Sequence, residues 1–264
     1  MNVQTGAQKA PAAPPLPSQS HLTEADDSPP GVQALTDRIT AGFTALSEVL
    51  QSLEAGNVQK KMYPLAKLAY AKVPTPCTRY YRGIIAAKLG HFAEAEQDLL
   101  AAYRERAEPH KWLRERVEHL VQLGKLTMPS FPNLPEAELA YNLAVIYSKT
   151  DRYREMVPWA ERAIEDPEFR PGILPDLAMA LYKLQDFPRA LSTFEDAYAA
   201  AGTTEARGSA AFKAACCAAR MRADANVAKW IHVAVNEGYD KRKILSDPDL
   251  AGYVEVPDIK KALT

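Results

Sequence analysis

The sequence predicts an all-α protein built from consecutive antiparallel helix pairs. From Val32 onward, apolar residues recur at intervals of three and four positions, the spacing that places them on one face of a helix. Glycines and prolines interrupt this pattern repeatedly, at positions where helices are expected to end. Segments with a similar pattern recur about every 34 residues. The alternation of apolar and polar residues that indicates strands is missing from the sequence.

The first 30 residues differ in composition from the rest of the chain. They contain six prolines and no aromatic residue. Such a segment cannot bury enough apolar surface to offset the entropy that it would lose on ordering. We therefore expect residues 1–30 to form a disordered Pro/Ala-rich tail. Whether this tail docks a partner, links to one or only keeps the protein soluble stays open.

A first helix pair is expected directly after the tail. An apolar stripe covers residues 35–53 and ends at Gly56, because glycine readily adopts the left-handed conformation that follows a helix end. A second helix is expected over residues 58–72, since Pro74 cannot continue it.

The best-marked repeat covers residues 80–109. Gly83 is a small residue midway along its first helix, where the two helices of a pair are expected to cross closely. Gly90 ends the first helix, and Pro109 stops the second one.

Two further copies cover residues 140–167 and 174–202. Met156 and Ala190 occupy the same position in these copies and are 34 residues apart. A weaker opening copy precedes them, and a closing copy can be drawn over residues 211–239.

These copies resemble the tetratricopeptide repeat family, in which an apolar–small–aromatic helix is followed by an A-x3-F-x2-A helix and a proline. The resemblance covers roughly residues 40–260 and implies a right-handed superhelical array over residues 31–264, a TPR-like solenoid with a concave face for protein partners. The last segment, NEGYDKRKILSDPDLAGYVEVPDIKKAL, resembles the Asp-Pro-Asp-Leu ending of bacterial members. It therefore favours a bacterial source.

The array has one expected interruption. Ala95 and Met156 occupy equivalent positions but lie 61 residues apart, which is too far for one repeat. Residues 109–125 predict one helix, whereas three prolines within residues 127–135 exclude its second helix. The repeat domain should therefore be interrupted near residues 109–135.

The bulk composition excludes several functional classes. With 32 basic and 33 acidic residues the net charge is −1, which does not favour the basic surface that non-specific nucleic-acid binding requires. No run of about 18 apolar residues occurs, so no membrane span is expected. The first residues lack the pattern of a secretory signal, and a cytoplasmic location is expected.

No motif in the sequence indicates catalysis or a cofactor. Gly-rich phosphate loops, nucleophile elbows and HExxH or CxxC patterns are missing. The five histidines are scattered at spacings that suggest no metal site. We therefore expect neither enzymatic activity nor a bound cofactor or metal.

Basic residues recur near the end of the first helix in four copies. In a stacked array, equivalent positions align, so these cations would form a stripe that selects an acidic segment of a partner. They could equally do no more than complement the helix dipole, and both interpretations stay open. The four residues are Lys88, Lys149, Lys183 and Arg220.

Apolar and aromatic residues on the first helices form a second candidate surface. A groove with such a lining would suit an apolar or mixed helix, or an extended peptide. Asn142 matches one position of the clamp by which tetratricopeptide domains hold acidic chaperone C-termini, but Ile84 and Asp176 occupy neighbouring clamp positions, so that clamp is not expected. The lining residues are Tyr80, Tyr141, Val145, Met179 and Tyr182.

Two functions follow from these observations. The first is a non-catalytic scaffold or adaptor that holds a protein or peptide segment, including an acidic one, on its concave face. The alternative is a chaperone or assembly factor for a secretion or pilus component, which would shield an apolar segment of its client. Nothing in the sequence decides between them, and it leaves the partner and the oligomeric state open.

Overall fold

A computed structural model describes residues 28–106, 111–127 and 134–264 of the chain. Most of the predicted tail, residues 1–27, and part of the predicted interruption lie outside these described residues. Contacts divide the chain into two compact units, Met1–Leu134 and Pro135–Thr264, called here the N-terminal and C-terminal units. Each unit is described by itself.

The described residues form helices and no strand. Among them, no helix combines the length and the apolar character that crossing a membrane requires. In the N-terminal unit the helices are α1 (Pro29–Glu54), α2 (Met62–Lys72), α3 (Pro76–Lys88), α4 (Phe92–Glu105) and α5 (Lys111–Gln122). In the C-terminal unit they are α6 (Glu136–Lys149), α7 (Tyr153–Ala163), α8 (Arg170–Lys183), α9 (Phe187–Ala200), α10 (Thr204–Arg220), α11 (Asp224–Asn236), α12 (Lys241–Ser246) and α13 (Pro257–Leu263).

The first helix begins slightly before its apolar stripe. The Ser28 hydroxyl oxygen accepts a hydrogen bond from the Gly31 amide at 3.2 Å, which caps the start of α1. Pro29 and Pro30 follow at the first helical positions, where the missing amide hydrogen is not needed. Pro29 and Pro30, the last two residues of the proline-rich segment, are therefore helical.

Consecutive helices of the N-terminal unit are neighbours in space. Helix α1 packs on α2, α2 on α3, and α3 on α4. Helix α2 begins at Met62, four residues later than the sequence predicts, and ends at Lys72 as predicted. The Arg38 side chain donates from Nε to the Lys72 carbonyl at 3.1 Å and so binds a carbonyl that the helix end leaves unpaired. One core cluster joins the first three helices through Val49, Met62, Ala66 and Ile85.

Two arginines of α3 are buried more deeply than charged side chains usually are. Arg79 is 4% exposed, pairs with Glu105 at 3.3 Å and donates to the Tyr70 hydroxyl. Arg82 donates from Nε to the Asp98 carboxylate at 2.6 Å and lies over the Tyr70 ring. These contacts join α2, α3 and α4. Removal of one partner would be strongly destabilising, because it would leave a buried charge unpaired.

Helix α5 packs against α1, the first helix of the unit. Leu113, Val117 and Leu120 are at most 1% exposed and share one cluster with Ile39 and Val73. Helix α5 therefore covers α1 and the end of α2. The sequence predicts this helix but not its partner, because Ile39 and Leu113 are separated by 74 residues.

The C-terminal unit contains three consecutive helix pairs. Helices α6 and α7, α8 and α9, and α10 and α11 form the pairs, and α7 with α8 and α9 with α10 join one pair to the next. Helix α6 also contacts α8 directly, and α13 packs on α11. The core between α8, α9 and α10 is formed by Leu174, Ala197 and Ala210. The stacked pairs that the sequence predicts are present in this unit.

The same turn closes the first helix of every pair in the C-terminal unit. Asp151, Gln185 and Arg222 have φ angles of 55°, 63° and 57°. In each turn, the residue after the left-handed one donates its amide hydrogen to the carbonyl five residues before it, at 2.9–3.0 Å. This bond satisfies a carbonyl at the end of the helix. The turn recurs at Gly90 in the N-terminal unit, where φ is 82°. These turns fix the register between the copies.

Helices α8 and α10 begin earlier than the sequence indicates. Helix α8 begins at Arg170 and continues through Pro175, whose side chain is exposed. A proline at this position removes one amide donor near the helix start, and the exposed surface lets water replace it. Helix α10 begins at Thr204, because the Thr203 hydroxyl oxygen accepts from the Ala206 amide at 3.2 Å.

Candidate functional site

Helices α6 and α8 carry one continuous surface, called here the α6–α8 face. Its residues recur at intervals of three or four along each helix and therefore share one side of it. The apolar members are half-buried, whereas the lysines are exposed. The face consists of Tyr141, Asn142, Val145, Ser148 and Lys149 from α6, and of Asp176, Met179, Tyr182 and Lys183 from α8.

Tyr141 is held at the start of this face. Its ring lies 5.3 Å from the Phe169 ring, measured between centroids. A Cβ atom added at Gly172 would lie 3.6 Å from the Tyr141 hydroxyl, so α6 and α8 approach closely here. Asn142, next to it, donates to the Glu138 carbonyl one turn earlier at 2.9 Å. The asparagine side chain therefore interacts with its own helix.

The centre of the face combines apolar side chains with one carboxylate, that of Asp176. Val145 and Met179 occupy equivalent positions in the two copies, 34 residues apart. Desolvation raises the pKa of the Asp176 carboxyl above its usual value, and Lys149 opposes this shift. Lys149 on α6 therefore acts across the face on a carboxylate of α8.

The predicted basic residues lie at the helix ends that the sequence indicates. Lys149, Lys183 and Arg220 end α6, α8 and α10, and Lys88 ends α3 in the N-terminal unit. Lys149 and Lys183 are exposed and, among the described residues, have no hydrogen-bond or ion-pair partner. Arg220 differs from them, because its guanidinium is already engaged within the chain.

Arg220 and Tyr182 meet at one carboxylate of the C-terminal segment. The Arg220 Nη1 atom lies 3.3 Å from Asp249 Oδ1, and the Tyr182 hydroxyl donates to Asp249 Oδ2. The Arg220 guanidinium also lies over the Phe187 ring, 4.8 Å from its centroid. Asp249 itself is held by its own backbone, since its amide donates to Asp247 Oδ1 at 3.0 Å.

Tyr80 lies elsewhere and is not part of an open surface. It is 3% exposed within the N-terminal unit, and its ring lies 5.0 Å from that of Tyr81. A side chain this deeply buried cannot contact a partner without local unfolding. We therefore leave Tyr80 out of the candidate site.

One group of side chains in the described part of the chain could in principle hold a metal ion. The ligand atoms of Cys216, Asp247 and Asp249 lie within 4.8 Å of one another. Burial raises the pKa of the Cys216 thiol, which disfavours the thiolate that would bind a metal. Asp249 is already bound to Tyr182 and Arg220. We assign no metal to this group.

Two residues of the site are not among those that the sequence singles out. Asp249 belongs to the Asp-Pro-Asp-Leu ending, but its partners Tyr182 and Arg220 lie 67 and 29 residues away. Ser148 is a small polar residue without a distinctive pattern. The repeat register could have placed Ser148 on the face, because Tyr182 follows it by 34 residues.

Comparisons with known proteins support the fold and little more. No protein-family model matches the chain. No curated protein matches it either. Seven chains of solved structures match, and one of them is titled "Functional Characterization of Pseudomonas Aeruginosa pilF". Its sequence is 14% identical to this one. The match covers 86% of this chain and 89% of that chain, with a TM-score of 0.53. The predicted all-α, TPR-like fold of helix pairs is confirmed.

Proposed function

We propose that this protein is a non-catalytic scaffold or adaptor that binds a segment of a protein partner on the α6–α8 face. One observation carries the proposal. Half-buried apolar side chains form a stripe on two helices that pack side by side, and it is bordered by two exposed lysines that make no hydrogen bond or ion pair among the described residues. A surface of this composition suits an amphipathic helix or an extended peptide.

The apolar part of the face would supply affinity. Val145, Met179 and Tyr141 each keep part of their side chain in water. Covering apolar surface is favourable by about 25 cal/mol per Å². Methionine adapts to partners of different shape, because its side chain is unbranched and flexible.

The charged border would supply selectivity. Lys149 and Lys183 favour an acidic segment, and their long-range attraction would speed its approach. Asp176 lies on the same face and would disfavour an acid close to it. A partner with apolar residues at its centre and acids near the ends of α6 and α8 fits this arrangement best.

The second candidate is a chaperone or assembly factor for a secretion or pilus component. The likeness to the chain titled Pseudomonas aeruginosa pilF favours it, although an identity of 14% establishes the fold alone. The repeat pattern and the Asp-Pro-Asp-Leu ending further support a bacterial member of the tetratricopeptide family. A chaperone would keep an otherwise insoluble client in solution, whereas a scaffold would bind partners that are folded without it.

Affinity capture with two charge variants tests the binding face. Met179→Glu places a charge in the centre of the face, and Ser192→Glu places the same charge on an exposed position of α9. Each full chain is used to capture proteins from an extract of the source organism, after circular dichroism has shown intact helices. We expect Met179→Glu to lose the captured partner and Ser192→Glu to keep it. Equal capture by both variants would contradict the proposal.

A further inference from the structure

The C-terminal unit already binds one carboxylate at the ends of two first helices. Tyr182, near the end of α8, and Arg220, at the end of α10, both bind Asp249. The Phe187 ring lies against the Arg220 guanidinium. One helix pair thus provides a hydroxyl and the next pair a cation, and the carboxylate lies between them.

The same pair of positions occurs once more, one repeat earlier. The left-handed residues Asp151, Gln185 and Arg222 fix the register. Tyr182 lies three residues before Gln185, and Ser148 lies three residues before Asp151. In the same register, Lys183 precedes Gln185 by two residues, just as Arg220 precedes Arg222. Ser148 and Lys183 are therefore the earlier copy of Tyr182 and Arg220.

This earlier copy is open to a ligand. Among the described residues, neither the Ser148 hydroxyl nor the Lys183 ammonium group has a hydrogen-bond or ion-pair partner. Ser148 is half-buried and Lys183 is exposed, so both can be reached from solvent. The position equivalent to Phe187 is occupied by Tyr153, so an aromatic residue recurs in the earlier copy.

We propose that a carboxylate of the partner binds between the Ser148 hydroxyl and the Lys183 ammonium group, as Asp249 binds between Tyr182 and Arg220. This inference rests on the proposed function and names the partner as an acidic peptide segment. A serine hydroxyl lies closer to the helix backbone than a tyrosine hydroxyl. The longer side chain of glutamate therefore reaches the site better than aspartate does.

The charges around the site agree with this occupant. Lys149 follows Ser148 directly and adds a second cation near the end of α6. Asp176, the acid of the face on α8, lies two helical turns before Lys183, about 10 Å along the axis. Two acids lie closer in sequence, but Asp151 accepts from the Tyr153 hydroxyl and Asp186 pairs with Arg189 at 3.3 Å.

The test uses a peptide that copies residues 245–252 of this chain with Asp249→Glu. Its matched control carries Asp249→Gln and differs only in charge. Each peptide is titrated into the isotopically labelled full chain, and amide shifts are followed by NMR. We expect the glutamate peptide to shift the amides of Ser148 and Lys183, and the glutamine peptide to bind more weakly. Lys183→Gln should weaken the glutamate peptide about threefold, as for an exposed ion pair, whereas Lys229→Gln on α11 should not.

Three outcomes would overturn the inference. They are equal binding of the two peptides, shifts confined to Tyr182 and Arg220, and no effect of Lys183→Gln. If Met179→Glu still abolishes capture of the partner, each of these outcomes overturns only the carboxylate site and not the proposed scaffold function. Capture that is insensitive to Met179→Glu would instead remove the proposed function itself.

Discussion

The two adjacent cysteines of α10 belong to the packed interior. Cys216 and Cys217 are at most 1% exposed. Burial raises the pKa of the Cys216 thiol and raises that of Cys217 to about 12. Both side chains therefore stay protonated at neutral pH and serve as small apolar residues.

Thiol labelling checks this assignment. The thiolate is the reactive form, so a raised pKa lowers the rate of alkylation at a given pH. With N-ethylmaleimide at pH 8 we expect partly exposed Cys77 to be modified in the native protein. Cys216 and Cys217 should react only after urea unfolds the chain. Mass spectrometry of the peptides locates the label, and rapid labelling of either α10 cysteine in the native protein would contradict the assignment.

Single residues at the helix ends are predicted by the sequence in some cases and missed in others. Gly90 indicates a left-handed turn by its residue type alone. Asp151, Gln185 and Arg222 adopt the same conformation without glycine. Aspartate tolerates this conformation better than most residues, but Gln185 and Arg222 offer no such signal. The stacked pairs impose the turn on them at a cost of about 1–2 kcal/mol per residue.

Between helices, glycine marks the closest approaches. A Cβ atom at Gly83 would lie 3.1 Å from the Cβ atom of Asp98 on α4, which agrees with the crossing that the sequence predicts. Gly42 is tighter still, because its Cβ atom would lie 2.4 Å from Val73 Cγ2 and 3.0 Å from Lys72 Cβ. The sequence alone does not single out Gly42, since its neighbour in space comes from the end of α2.

Gly42→Ala should destabilise the N-terminal unit. Alanine favours a helix over glycine by about 1 kcal/mol. The steric conflict with Val73 belongs to overpacking, which typically costs about 1–3 kcal/mol and outweighs that gain. Because Val73 is buried and cannot easily give way, the overpacking lies in the upper part of that range, and we expect the free energy of unfolding in urea to fall by about 1–2 kcal/mol. Gly202→Ala, where an added Cβ atom meets nothing within 4 Å, should leave it nearly unchanged. A Gly42 variant as stable as the wild type would show that the two helices are farther apart.

Helix α5 shows what periodicity can and cannot predict. Its apolar spacing predicts a helix, and the prolines after it exclude a second one. Its packing against α1 depends on Leu113 and Ile39, which are distant in sequence. We propose that the boundary between the two units reflects the interruption that these prolines indicate.

At the scale of the C-terminal unit, Asp249 attaches the chain end to two helix pairs. Its side chain is 14% exposed, and its hydrogen bonds to a cation and a hydroxyl are charge-assisted. Asp249→Asn should therefore lower the free energy of unfolding by about 1–2 kcal/mol, measured in urea. Asp258→Asn should cost less than about 0.5 kcal/mol, because Asp258 is 69% exposed beside His232. Equal costs for both variants would show that Asp249 does not hold the chain end.

The candidate site was predicted in part. The sequence places Val145, Met179 and the two lysines on the first helices, because repeat positions follow from spacing. The sequence wrongly places Tyr80 in the groove, because an aromatic side chain fits a buried core as well as a groove. It also treats Arg220 like the lysines, because the contact with Asp249 forms only after the chain end folds back.

The most direct test of the account is an oxidative footprint of the full chain with its captured partner. Hydroxyl radicals oxidise exposed methionine and aromatic side chains, and mass spectrometry gives the rate for each residue. Trp159 on α7 and Tyr198 on α9 are half-buried as well and serve as internal references. Binding on the α6–α8 face should slow the oxidation of Met179 and Tyr141 severalfold and leave both references unchanged. Unchanged rates at Met179 and Tyr141, with protection at Trp159 or Tyr198, would contradict the account.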